Sequence, residues 1–223
     1  MSRGTPSREV PIDPDAAAVL FIDVQNFGCR RDGGEYRDMD PARLEAGHGG
    51  FFRMLEERAL PNMQRLQAGC RAAGIEVMYT VIAALTRDCR DMSLDYKITG
   101  FHVPRGSWDA EVLESLAPAD DEIVISKTSS SVFVSTNIDY VLRSLGVKSL
   151  ILAGCVTDQC VESAVRDACD LGYLVTLVPE ACATATKERH EASLRAIKGY
   201  CRMRTVDEVL AELPVRSGDR AAQ

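Results

Sequence analysis

The strongest constraint on the fold of this chain is an alternation. Short apolar runs are followed by polar turns and then by stretches of helical periodicity that stop at glycine. Ala16–Ile22 is such a run, closed by Asp23; Ile75–Ile82 is the second. Glu122–Ser126 is the third, with Lys127 just past its end. Leu150–Ala153 and Tyr173–Val178 follow, and Tyr200–Thr205 makes a short sixth. Continuous apolar runs of this length suit strands buried on both faces, as in parallel sheets. Between them, helices are expected over Phe52–Ala73, Trp108–Leu116 behind a Ser107 cap, Asn137–Leu145, Asp158–Leu171, Lys187–Lys198 and Val206–Leu213. Strands alternating with helices, joined by right-handed crossovers, make an α/β three-layer sandwich. Its sheet is mostly parallel, with helices on both faces. One such domain is expected over residues 16–213. Met1–Asp15, with Pro6, Pro11 and Pro14 and no apolar core, reads as a flexible arm rather than a secretory signal. Residues 214–223 read as a frayed tail. Asn26–Gly50 and Leu85–Ser107 read as long irregular loops near strand ends, the kind that carries function.

The net charge of −7, from 26 basic and 33 acidic residues, opposes a general affinity for nucleic acid or anionic membranes. Eight cysteines without an export signal point to reduced thiols in a cytoplasm. No two form a Cys-x-x-Cys pair, and the histidines stand alone at 48, 102 and 190. A structural zinc site is therefore not expected, nor is any cofactor. Most of the thiols read as small buried apolar filler.

One cysteine is different. In Leu150–Ala164 an apolar run ends at Gly154, a polar turn follows, and Cys160 opens an amphipathic helix. A thiol there feels the helix dipole and unpaired backbone N–H groups, both of which favour thiolate. Cys160 is expected to be a nucleophile and to alkylate fastest of the eight thiols near pH 7. Cys155 competes, but its place at the strand end favours burial. Ligands of open α/β sheets bind beyond the carboxyl ends of the strands, and Asp23, Lys127 and Cys160 all lie there. Alone, Asp23 reads equally as a loop hydrogen-bonder and Lys127 as a solvated charge; the three together are more specific. Asp23 would take the thiol proton, and Lys127 would hold Asp23 and steady the thiolate. The thiolate would attack a carbonyl carbon, expel an amine and leave a thioester for water to hydrolyse. Backbone N–H groups in the turn Val156–Cys160 would stabilise the oxyanion. Two other readings compete. In a phosphatase with Asp23 as nucleophile, an acidic residue would stand two positions on, where Gln25 stands. A binding or regulatory domain would keep the fold without catalysis.

Three blocks resemble the isochorismatase-like cysteine hydrolase family, from about Ala16 to Val209. Phe21–Phe27 resembles its first motif, whose Asp is the base. Lys127–Phe133 resembles the second, whose Lys completes the triad. Gly154–Val161 resembles the third, whose final Cys-Val carries the nucleophile. Arg166–Ala168 and Gly172-Tyr173 keep the family's spacing. The resemblance implies a six-stranded sheet in order 3-2-1-4-5-6. It also implies a cis peptide just before Val156, an oxyanion hole from the N–H groups of Val156 and Cys160, and a homodimer or homotetramer. Its reactions are hydrolyses of amides and ureido compounds. Isochorismatases proper lack the nucleophilic cysteine, so Cys160 points to an amidohydrolase. Nicotinamidases carry metal-binding histidines after the second strand, where Ile82–Cys89 has none. The resemblance is therefore nearest the metal-free branch acting on N-carbamoyl, ureido or biuret-like substrates, with a nicotinamidase-type amidase as the alternative. Asn26 would orient a urea group, and Phe27, Tyr36, Trp108 and Phe133 would line the pocket. Arg30, Arg31, Arg37 or Lys187 would hold a substrate carboxylate.

Overall fold

The computed structural model describes residues 6–214. The strands are β1 (Ala17–Ile22), β2 (Glu76–Ile82), β3 (Ile123–Lys127), β4 (Ser149–Cys155), β5 (Leu174–Ala183) and β6 (Arg202–Met203). They form one six-stranded sheet in the order β3-β2-β1-β4-β5-β6, every pair parallel. The nine α-helices of the described residues are α1 (Asn26–Cys29), α2 (Pro41–Met54), α3 (Leu60–Ala73), α4 (Leu94–Thr99), α5 (Val132–Ser135), α6 (Ile138–Ser144), α7 (Glu162–Asp170), α8 (Lys187–Ile197) and α9 (Val206–Glu212).

The apolar runs of β1, β2 and β4 are buried on both faces because side chains alternate across the sheet, whereas β3, at the edge, alternates half-buried and exposed residues up to Lys127. Ala17, Val19 and Phe21 of β1 pack with Phe52, Met63 and Leu66 on one side, where α2, α3 and α9 lie. Ala18, Leu20 and Ile22 pack with Ile138, Leu142 and Val165 on the other, beneath α6, α7 and α8. Strand order reverses between β1 and β4, and the carboxyl ends there carry the polar residues.

Several elements differ from the sequence expectation. Asn26–Gly50 is not one loop: Asp40 caps a helix at Pro41, its carboxylate accepting from the N–H groups of Ala42 and Arg43. That helix runs through a wide turn at Leu55–Ala59 directly into α3. Packing of Leu44, Phe51 and Phe52 overrides the low helix propensity of Gly47, Gly49 and Gly50. Within Leu85–Ser107, Ser93 caps α4 and Gly100 closes it with a φ of 86°. The helix expected over Trp108–Leu116 is instead two single turns, and the Ser107 side chain caps neither. β5 continues past Pro179 to Ala183. Pro179 is tolerated there because it lies past the β6 pairing at Thr176 and Leu177 and inside the register shift between the Leu152–Leu177 and Gly154–Cys182 pairs of β4 and β5.

The expected arm is docked over its described part. Ile12 is buried, its N–H donates to Glu212, and Glu9 pairs with Arg204. Of the expected tail, residues 215–223 lie outside the described residues. No helix of the described residues is long and apolar enough to cross a membrane.

Candidate active site

Register brings the polar residues together. Ile22 stands opposite Thr80 on one side and Gly154 on the other, and Ile82 stands opposite Lys127. Asp23 follows β1 with φ 54°, a left-handed conformation that Asp tolerates better than most residues. Its N–H reaches the Thr80 carbonyl at 3.0 Å, and the Thr80 hydroxyl donates to Asp23 Oδ1 at 2.8 Å. Gly154 is required at its place: a Cβ there would sit 2.2 Å from the Ile22 carbonyl oxygen.

Lys127 is fully buried, and its ammonium has four near partners. It lies 2.8 Å from Asp23 Oδ2 and donates at 2.9 Å to the Ser129 carbonyl, 3.0 Å to the Tyr96 hydroxyl and 3.4 Å to Cys160 Sγ. Burial pulls its pKa down, but the charges and hydrogen bonds of Asp23 and Cys160 outweigh this and hold it above its usual value. The Ser130 hydroxyl lies 3.7 Å from the same sulfur, and the Tyr96 hydroxyl 3.8 Å.

Cys160 sits in the wide first turn Thr157–Val161, ahead of α7. There the Val156 carbonyl accepts from both Gln159 and Val161, the residues flanking Cys160. The Cys155–Val156 peptide is cis. The thiol is not the depressed one expected from a helix start. Burial, then the negative charge of Asp23, push it up to about 11, with Lys127 opposing. Cys155 is buried, and its thiol is held well above its usual value by hydrogen bonding to Cys29 and by burial.

Asp23, Tyr96, Cys155, Val156 and Cys160 border a cavity of about 190 Å³. Asp23, Cys160 and Val156 form one end; Phe27, Tyr96 and Phe101 form an aromatic wall, with ring centroids 4.9–5.0 Å apart. Phe27 and Tyr36 line it, whereas Asn26, Trp108 and Phe133 do not. The Asn26 amide is spent on the Trp108 carbonyl at 2.9 Å. Trp108 faces outward with the Arg30 guanidinium over its ring at 5.3 Å. Phe133 packs beside Tyr173. The basic side chains expected at a substrate carboxylate are also elsewhere. Arg30 pairs with Asp32, Arg31 with Glu45 and Glu56, Arg37 with Asp109 and Lys187 with Glu191. Arg189 lines the cavity instead, its guanidinium held by Asp158 at 2.6 Å.

Sequence reasoning missed Glu35, His48, Gln159 and Arg189 on the wall, and Thr80 and Tyr96 beside the three central residues. Thr80 carried a usable signal, as a hydroxyl in an apolar strand. The others lie in segments whose path depends on tertiary packing. Gln25, which also borders the cavity, is a brace: its amide donates to the carbonyls of Ile82 and Asp109 at 2.9 Å and accepts from the Ile82 N–H. Among the described residues no group of three or more His, Cys, Asp or Glu side chains is arranged to hold a metal ion.

Comparison with known proteins adds to this geometry. Residues 17–208 match the isochorismatase domain family. The chain is 28% identical over 208 residues to ureidoacrylate amidohydrolase RutB of Acinetobacter baylyi, covering 86% of this chain and 80% of that protein. It is 37% identical over 122 residues to N-carbamoylsarcosine amidase of an Arthrobacter species, covering 52% of this chain and 46% of that one. A cysteine hydrolase structure from Pseudomonas syringae pv. phaseolicola superposes with a TM-score of 0.77 at 25% identity, covering 94% of this chain and 98% of that chain.

Proposed function

The chain belongs to the isochorismatase family, and on that premise we propose that it is a cysteine hydrolase of a small linear amide or ureido compound. The observation that carries this reading is the buried Lys127 ammonium, in reach of both the Asp23 carboxylate and the Cys160 sulfur. A buried ammonium is costly unless paired. Here its pairing holds the Asp23 side chain and the Cys160 sulfur on one ammonium, the starting state a base-assisted thiol attack requires.

The proposed reaction follows from that state. Asp23 takes the Cys160 proton as the sulfur attacks the carbonyl carbon, so no free thiolate is needed at neutral pH. Lys127 donates to the sulfur and offsets the charge that would otherwise build on it. The carbonyl oxygen becomes an oxyanion, met by the backbone N–H groups of Val156 and Cys160. Losing one such donor typically costs about 3 kcal/mol in the barrier. Asp23 returns the proton to the leaving nitrogen, the C–N bond breaks, and a thioester remains on Cys160. A water, deprotonated by Asp23, attacks the thioester; the thiol is restored and an acid, or a carbamate, is released. Phe27 and Tyr36 flank the substrate in the cavity. A cytoplasmic, homo-oligomeric enzyme is part of the same reading, supported by the thiol-rich composition and the family resemblance.

The test is ammonia release from N-carbamoyl amino acids, biuret, ureidoacrylate, oxamate, maleamate and nicotinamide, with chelator present. Wild type should release ammonia from at least one ureido or amide compound, and Cys160→Ala from none. Equal release by Cys160→Ala would overturn the reading.

A further inference from the structure

Glu35 lies on the cavity wall, contributed by the loop that follows α1. That loop is built rather than slack. Gly33 packs so closely on α1 that a Cβ would sit 2.1 Å from the Asn26 carbonyl oxygen. The Gly34 N–H donates to Asp109 Oδ1 at 2.9 Å, and the Arg37 guanidinium meets Asp109 Oδ2 at 2.9 Å. The Glu35 N–H reaches the Phe27 carbonyl at 3.2 Å, and the Tyr36 hydroxyl reaches the Gly28 carbonyl at 3.3 Å. Asp109 therefore clamps Gly34 and Arg37, and the residues between them face the cavity. The Glu35 carboxylate lies against Gly28, where an added Cβ would meet its Oε2 at 2.9 Å.

The other charges around the cavity are matched. Lys127 answers Asp23, and Asp158 holds Arg189 while accepting from Thr184. Glu35 has no ion-pair partner among the described residues, whose salt bridges do not include it. Its chain neighbour Tyr36 gives its hydroxyl proton to the Gly28 carbonyl, and the His48 ring packs on Tyr36 at 4.9 Å. The Glu35 side chain is exposed at the rim of the cavity, where a ligand can reach it, and partial desolvation there raises its carboxyl to about 7. A ligand group that supplied a positive charge or N–H donors there would relieve this; a ligand carboxylate would aggravate it.

We propose that Glu35 sets substrate class: it receives the distal end of a small ureido or amide compound, and selects compounds that end in an amine over those that end in a carboxylate. This rests on the amidohydrolase reading, and departs from the carboxylate implied by the name of the ureidoacrylate relative. The matched probes are 2-ureidoethylamine and N-carbamoyl-β-alanine, which share the ureido group and differ in the charge of the distal end. Binding is measured by calorimetry on Cys160→Ala and on Cys160→Ala/Glu35→Gln, so it is read even if neither compound is turned over. The amine should bind Cys160→Ala at least about tenfold more tightly than the carboxylate, and Glu35→Gln should erase the difference. In the otherwise wild-type enzyme, Glu35→Gln should raise KM for the amine about tenfold, with kcat within about twofold. Equal or weaker binding of the amine, no binding of it up to the solubility limit, or an amine preference that survives Glu35→Gln would overturn the proposal. Amine-selective binding without ammonia release from any compound would leave Glu35 as the selector and count against the amidohydrolase reading instead.

Discussion

At one end of the cavity the polar groups come from strand ends; at the other they come from a loop. Asp23, Lys127 and Cys160 are anchored to β1, β3 and the turn after β4, and their side chains are almost completely buried. Sheet register fixes their separations to the precision of a hydrogen-bonded ladder. Glu35 and Tyr36 hang from a segment held by the carboxylate of Asp109 and by the close approach of Gly33. The difference teaches a division of labour. On the proposed function, the bond-breaking groups take the fixed geometry that the sheet supplies, while the group proposed to receive the rest of the substrate sits where sequence can change without disturbing the sheet.

Substitutions should separate the two ends. Cys160→Ala should lower turnover by at least about 10³-fold while leaving the melting temperature near that of wild type, measured by ammonia release and calorimetry. Lys127→Ala should abolish activity and also destabilise the fold by about 3–5 kcal/mol in denaturant titration, because Asp23 is left as a buried unpaired charge. Adding Asp23→Asn to Lys127→Ala should recover much of that stability and none of the activity. Asp109→Ala should cost less, about 1–2 kcal/mol, because it leaves the Gly34 N–H without its acceptor. Its kinetic effect should fall on KM with kcat within about threefold, the opposite signature to Lys127→Ala.

The two ends should also differ in pH response. Glu35 has its carboxyl raised from the ordinary 4.5 to about 7 in the fold. Its protonated form therefore favours the fold below about pH 4.5, and that contribution, kept small by the exposure of the side chain, fades as pH rises through 7. Glu35→Gln should flatten the stability profile between those limits. Cys160, raised from 9.0 to about 11, should show its loss only above pH 9, and Cys160→Ser should flatten that higher window. The smallest effect should come from Trp108→Ala, whose exposed ring lies outside the cavity: KM unchanged and stability within about 0.5 kcal/mol.

Legibility in the sequence follows the same division. Apolar runs and glycine stops located the strands: in β1, β2 and β4 burial on both faces leaves a continuous apolar signature that needs no tertiary information, while the edge strand β3 showed through its Ile123-Val124-Ile125 run. Asp23, Lys127 and Cys160 were visible because each follows or ends such a run. The strand order came through the family resemblance, and the structure has it. What failed was local. The Asp40-Pro41 helix start hid inside a glycine-rich stretch, and helix propensity there is overruled by the packing of Phe51 and Phe52. Asn26 looked free to meet a urea group, but its partner is the carbonyl of Trp108, 82 positions away. For Cys160 the helix start is visible in sequence, whereas burial and the neighbouring Asp23, which act the other way on the thiol, are properties of the folded site. Glu35 gave no signal, since only the closed loop turns it toward the cavity.

The most direct test of the proposed chemistry is acid-quenched peptide mapping by mass spectrometry during turnover of whichever compound releases ammonia. The account predicts one acyl adduct, on the peptide carrying Cys160, which appears within the first turnover and is absent from Cys160→Ala. Steady turnover with the adduct on another thiol, or with Cys160→Ala as active as wild type, would contradict it.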